Sequence, residues 1–205
     1  MLNNPLLPTA YLAPINYYAI LIEQSNCKIE FHENFVKQSI RNRCVIYSAN
    51  GELRLTVPRK HEKNSKTLIS KIKISYKDRW QKEHWNAITS AYNSSPFFEF
   101  YKDELKPFFE EKEIYLINFN TKLQNLILKL LQVKVKYTFT NEYNSLGNFT
   151  DYRKCNFTNI KICRYDQVFM EKHGFIANLS ILDLLFNLGP DSSDYLKAIS
   201  TNQKK

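Results

Sequence analysis

Glycine is scarce in this chain, with four among 205 residues. So few leave no room for a glycine-rich phosphate cradle or for long flexible linkers, and neither G-x-G-x-x-G nor a Walker A run occurs. H-E-x-x-H, C-x-x-C and G-x-S-x-G are also missing, which argues against a metal site, a redox pair and a hydrolase elbow. The four cysteines, Cys27, Cys44, Cys155 and Cys163, are scattered and read as reduced thiols packed as small apolar groups. No basic residue precedes Lys28, so the positive start of a secretory signal is lacking. The longest early apolar stretch, Tyr17 to Ile22, is far too short to span a bilayer. A cytoplasmic protein with no membrane span is the expectation.

What the chain does have is core-forming material. Apolar residues make up 43% and aromatics 14% of it, enough for a single compact domain over residues 1–205. The net charge of +9 suits nucleic acid, an acidic membrane surface or an anionic, phosphorylated small-molecule substrate alike, and the last is the expected partner. Lysine far outnumbers arginine and often alternates with apolar residues, as on a solvated face. The aromatics lack the basic interleaving of a nucleic-acid stacking platform, so no sequence-specific nucleic-acid partner is expected. No motif specifies a cofactor or an oligomeric state.

Periodicity supplies the elements. Thr9 to Leu12 reads as a short strand entering a loop, and Asn16 as the cap of a helix with Tyr18, Ala19 and Ile22 on one side. Cys27 to His32 then alternates as a half-buried strand does. Strand, helix, strand is the opening of a β-α-β unit. Arg43 to Tyr47 and Leu53 to Val57 read as a hairpin closed by Asn50-Gly51, both at positive φ, and Leu68 to Ile74 resumes strand-like alternation. Asp78 is placed to cap a helix carrying Trp80, His84, Ile88 and Ala91. Further helices are predicted over Phe97–Phe109 and about Phe119–Leu131, then a strand over Lys134–Phe139. Asn141 to Arg164 is polar and poorly periodic, and long enough to suggest a functional loop. Ser180 opens a last apolar helix with Asp183 as capping-box partner, and Gly189-Pro190 ends it. The expected fold is α/β, a mixed β-sheet flanked by helices, with a Rossmann-like, nucleotidyltransferase-like outline in its N-terminal part.

Several boxes, in order, resemble the WbqC-like protein family. Tyr11-Leu-Ala-Pro14 followed by an aromatic-rich helix is similar to its N-terminal box, with Thr9-Ala10 in place of the usual Gln-Pro. Phe35 to Val45, containing Lys37-Gln38 and Arg41-Asn42-Arg43, resembles its most recognisable segment. Leu55-Thr56-Val57-Pro58 matches the strand that follows. Trp80 to Tyr92 matches a Trp-x-x-x-His helix, and His173-Gly174-Phe175 through Asp183 resembles the C-terminal signature of one bacterial branch. The resemblance implies a setting in cell-surface polysaccharide (O-antigen) biosynthesis and adds Tyr11 to the substrate-binding candidates.

The residues themselves nominate the rest. Arg41 and Arg43 lie two apart, so in a strand both guanidinium forks share a face and can grip phosphate or carboxylate, with Gln38 and Asn42 adding polar reach. His32 ends a strand where α/β sheets place their ligand crevice and is a candidate general base. His84 is the second catalytic candidate. An enzyme of transferase type, acting on an anionic, nucleotide- or acyl-activated substrate, is the leading expectation, and a non-catalytic binding or scaffold protein of the same pathway the alternative.

Overall fold

The computed structural model describes residues 4–23, 26–60, 66–143, 149–155, 157 and 162–201. The chain opens with strand β1 (Asn4–Pro8), helix α1 (Ile15–Glu23) and strand β2 (Cys27–Glu30), and β1 pairs β2 in parallel. The predicted β-α-β unit is therefore present, although its first strand lies before Thr9 rather than after it. Pro5 and Pro8 do not forbid this, because proline is tolerated at strand ends and edges. Asn16 sits inside the first turn of α1, and its Nδ2 donates to the Phe157 carbonyl at 2.6 Å. α1 is buried over Ile15 to Leu21 and packs on the last helix, α7 (Ser192–Thr201).

The hairpin forms from β3 (Arg43–Ser48) and β4 (Gly51–Thr56), with Ser48 opposite Gly51. Its turn is Ala49-Asn50, and only Gly51 takes a positive φ, at 95°, so the glycine follows the turn instead of forming half of it. Leu55 and Val57 are buried while Arg54 faces solvent, as alternation requires. This pair is a sheet of its own, and the larger sheet is wholly parallel in the order β5-β2-β1-β6, with β5 (Tyr137–Phe139) and β6 (Phe149–Asp151). The α/β architecture stands, with parallel and antiparallel strands divided between two sheets. β6, inside the segment read as an irregular loop, is three residues long with an exposed Thr150 and Asp151. Too short to show a period, it left no trace in the pattern.

Between the hairpin and β5 lie α2 (Trp80–Tyr92), α3 (Phe98–Leu105), a 3-10 turn at Lys106–Phe109 and α4 (Leu116–Leu130). Pro107 converts the expected long helix after Pro96 into α3 plus that turn, since its nitrogen donates no hydrogen bond. Leu116, Phe119, Leu123, Ile127 and Leu130 form the buried stripe of α4. Residues 68–74 carry isolated bridges and a 3-10 turn at Ile69–Lys71 in place of a continuous strand. No side chain caps α2, and Arg79 holds its N-cap position.

After the short helix α5 (Met170–His173), helix α6 (Ile181–Leu188) begins at Ser180, whose Oγ accepts from Leu182 N at 3.4 Å. Asp183 does not complete a capping box. It is fully buried, and takes Tyr92 Oη at 3.0 Å on one oxygen with Tyr165 Oη at 2.6 Å and Gln167 Nε2 at 2.8 Å on the other. Burial pushes this carboxyl above its ordinary pKa, and the three donors offset part of that. The network ties α6 to α2 and to the 165–167 segment. Gly189 ends α6 at φ 53° and α7 continues the chain.

Candidate functional site

All four strands of the parallel sheet run the same way, so their carboxyl ends share one edge. There lie Thr9 to Pro14 after β1, Phe31 to Glu33 after β2, Thr140 after β5 and Tyr152-Arg153 after β6. Strand order turns back at β1, with β2 on one side and β6 on the other. Crevices at such places are where open α/β sheets bind ligands.

Two buried ion pairs organise this edge. Glu30 has no exposed surface; its Oε1 accepts from His32 N at 2.9 Å and Thr140 Oγ1 at 2.7 Å, and its Oε2 from Arg153 Nη1 at 2.9 Å. Arg153 also grips Asp151 through Nε at 3.0 Å and Nη2 at 2.7 Å. Glu33 receives Arg41 Nε at 2.7 Å and Nη2 at 2.5 Å. Burial raises the Glu33 pKa, and the guanidinium offsets only part of the rise. Arg41 Nη2 further donates to the Arg153 carbonyl at 3.2 Å, which joins the two pairs into one network.

His32 emerges from this network. Its backbone is fixed by Glu30, its ring packs edge-on against Phe31 at 5.4 Å, and among the described residues no group hydrogen-bonds the ring nitrogens. A half-buried imidazole on a rigid base, with both nitrogens open, can accept a proton or bind a polar group.

The two arginines part company. Arg41 lies in the turn before β3, not in the strand, so the same-face spacing does not apply to it. It is 3% exposed and its guanidinium is filled by Glu33, Ser39 and Arg153. Arg43 begins β3, is half-buried, and among the described residues has no carboxylate partner, with its Nε buried and unbonded. Asn42 is buried and donates to the Val57 carbonyl at 2.9 Å. Gln38 is exposed in a tight turn at φ 55°.

Tyr11 and His84 form a unit of their own. The Tyr11 hydroxyl and His84 Nδ1 are 2.9 Å apart, and the ring of His84 meets Trp80 edge-on at 5.0 Å. Burial lowers the His84 pKa to about 4, against a smaller opposing pull from the Thr56 backbone, so the ring is neutral near pH 7 and accepts from Tyr11. Both side chains are enclosed, with Tyr11 fully buried and His84 5% exposed. Neither reaches solvent at the edge. Tyr11 N donates to the Ile40 carbonyl at 2.9 Å, so the pair is attached to the 38–42 turn that carries Arg41. The same loop includes Leu12, buried at φ 43° and held by Ser180 Oγ on its carbonyl at 2.9 Å. A leucine there is backbone strain stored beside the site.

Glu30, Glu33, Thr140 and Arg153 are not among the candidates that the sequence nominated. Glu30 falls on the predicted outward face of β2, and nothing local signals its burial. Arg153 reaches it only because β6 pairs with β1 from far along the chain.

The model of the WbqC-like protein family matches residues 10–154 and 148–195. The chain belongs to this family. A relative in Mycobacterium tuberculosis, described as uncharacterized protein Rv1507c, is 27% identical across 80% of this chain and 84% of its own length. No solved structure matches the chain. Among the described residues, no helix is long and apolar enough to cross a membrane.

Proposed function

We propose that this WbqC-like protein is an enzyme of cell-surface polysaccharide assembly. It acts on an anionic, nucleotide- or acyl-activated small molecule held at the carboxyl edge of the parallel sheet. The observation that carries the reading is His32: an imidazole with open nitrogens, on a backbone anchored by a buried carboxylate, at the end of a central strand. In this role His32 takes a proton from the acceptor as it attacks the activated substrate. Arg43, the guanidinium of the motif left without a carboxylate, meets the substrate's negative charge. The Glu30–Arg153 and Glu33–Arg41 pairs hold the edge rigid, and His84 acts through Tyr11 as a positioning residue.

One observation favours the alternative of a non-catalytic binding protein in the same pathway. Arg41 and Arg153, both at the edge, are already spent on carboxylates. The two readings differ in turnover. Thermal unfolding against a panel of sugar nucleotides and acyl-coenzyme A esters finds the substrate class, and release of free nucleotide or coenzyme A then measures reaction. An enzyme shows a stabilising ligand and a release rate that His32→Ala abolishes while keeping the ligand-free melting temperature. A stabilising ligand with no release in any acceptor mixture supports the binding protein, and no stabilising ligand at millimolar concentration contradicts both.

A further inference from the structure

The positive charge of this chain is not spread evenly. Residues 59–82 hold nine Lys or Arg and two acids, a net +7 of the chain's +9. The fold lays two parts of this segment side by side: Lys60 N donates to the Lys73 carbonyl at 2.8 Å, Ser75 N to the Pro58 carbonyl at 2.8 Å, and Arg59 bridges Ile74. Between them opens a hollow of about 580 Å³ lined by Arg59, Lys60, Ser75, Tyr76 and Lys77. That volume is in the range of small-molecule sites.

The cations around it are not neutralised. Among the described residues, Arg59, Lys60, Lys73, Lys77 and Lys112 make no ion pair, whereas Lys102, Lys106, Lys122, Lys129 and Lys197 elsewhere each face a carboxylate. Arg59 is steadied over the Phe35 ring at 5.4 Å, and Lys112 over the Tyr76 ring at 5.4 Å. Tyr76 is fixed in turn by its hydroxyl, which donates to the Glu113 carbonyl at 2.9 Å. The Glu113 carboxylate itself is paired with Lys122, and Asp78 follows Lys77 along the chain. A concave surface with three lining cations, one of them held on an aromatic ring and a further cation stacked on its Tyr76 wall, concentrates positive potential in a recess.

We infer that this hollow binds the diphosphate of the substrate, a nucleoside diphosphate or its sugar ester. The inference rests on the functional reading above, and the chain connects the two places. Ile69 N donates to the Glu33 carbonyl and Phe35 N to the Thr67 carbonyl, both at 2.8 Å. The strip leaving β2 at His32 therefore runs directly beneath Arg59. The diphosphate, a compact anion with many acceptor oxygens, matches a forked guanidinium and two ammonium groups better than a single carboxylate does.

Isothermal titration of the full-length protein with inorganic pyrophosphate and with UDP, near physiological ionic strength, tests this. Both ligands bind saturably to the native protein, and Arg59→Gln, Lys60→Gln and Lys77→Gln each weaken binding by roughly tenfold. Lys136→Gln, which removes an exposed charge elsewhere, leaves affinity unchanged, and melting temperatures of the hollow variants confirm folding. No saturable binding of either ligand at millimolar concentration overturns the inference, as does an equal loss in Lys136→Gln or tighter binding of a single-stranded oligonucleotide than of UDP. Loss of both ligands in His32→Ala with full affinity in Arg59→Gln moves the diphosphate to the end of β2. That result overturns the hollow and leaves the sheet-edge reading standing.

Discussion

The hydroxyl of Tyr11 sits 2.9 Å from His84 Nδ1 and links the loop after β1 to the buried face of α2. The bond needs an unprotonated imidazole nitrogen, and burial supplies one by lowering the His84 pKa from 6.5 to about 4. In the unfolded chain the ring titrates at its ordinary value, so between these limits the unfolded state binds more protons. Stability is full above about pH 6.5 and falls as pH drops toward 4, by about 3 kcal/mol at the limit. Urea unfolding at several pH values shows this slope in the native protein and a shallower one in His84→Gln. Equal slopes would contradict it.

Arg41 and Arg43 carry a second expectation. Arg41→Met leaves the Glu33 carboxylate buried without its cation and costs about 3 kcal/mol or more. Arg41→Lys keeps the charge but not the fork, and loses about 1–2 kcal/mol. Arg43→Lys changes stability by less than about 0.5 kcal/mol and lowers ligand affinity. Denaturant midpoints for the three variants decide the matter; a wild-type midpoint for Arg41→Met would show that the pair contributes nothing.

This division of labour was only half legible in the sequence. Alternation and turn chemistry revealed β2, the β3–β4 hairpin and the stripes of α2 and α4, because those signals are local. They also led to the expectation that Arg41 stands in a strand. The turn at Ser39–Asn42, closed by Arg43 N on the Ser39 carbonyl at 3.1 Å, has no periodicity to announce it. Glu33, the carboxylate that decides what Arg41 does, lies eight residues before it across an irregular stretch with no period to bring the two together, while Arg153 comes from far along the chain, a range invisible to any window. The position of His32 just past the end of β2 was legible because a strand-ending histidine needs only a local pattern. The basic hollow escaped because its two walls are separated by residues 61–72.

Two glycines separate backbone strain from collision. An added Cβ at Gly189 would stand 2.5 Å from the Phe97 ring, with φ at 53°, whereas at Gly51 it meets nothing within 4 Å and only the φ of 95° objects. Gly189→Ala therefore costs about 2–4 kcal/mol and Gly51→Ala about 1 kcal/mol. Thermal melts rank the two directly, and the reverse order would refute the account of the α6 terminus.

Asp183→Ala leaves the buried hydroxyls of Tyr92 and Tyr165 without their acceptor and removes one of the acceptors of Gln167, at a cost of about 3 kcal/mol. The loss appears in thermal unfolding together with increased fluorescence accessibility of the tyrosines. A neutral substitution would mean that the network adds nothing to the docking of α6 on α2.

The central claim is that His32 meets the substrate while His84 stays enclosed. Nuclear magnetic resonance of histidine-labelled protein reads both rings in one experiment. On titration with UDP-N-acetylglucosamine, GDP-mannose, dTDP-glucose and acetyl-coenzyme A, the His32 ring resonances should shift saturably with one of them, and those of His84 should stay in place. A His32 signal unmoved by all four at millimolar concentration, or moved no more than that of His173 on the exposed end of α5, would contradict the claim.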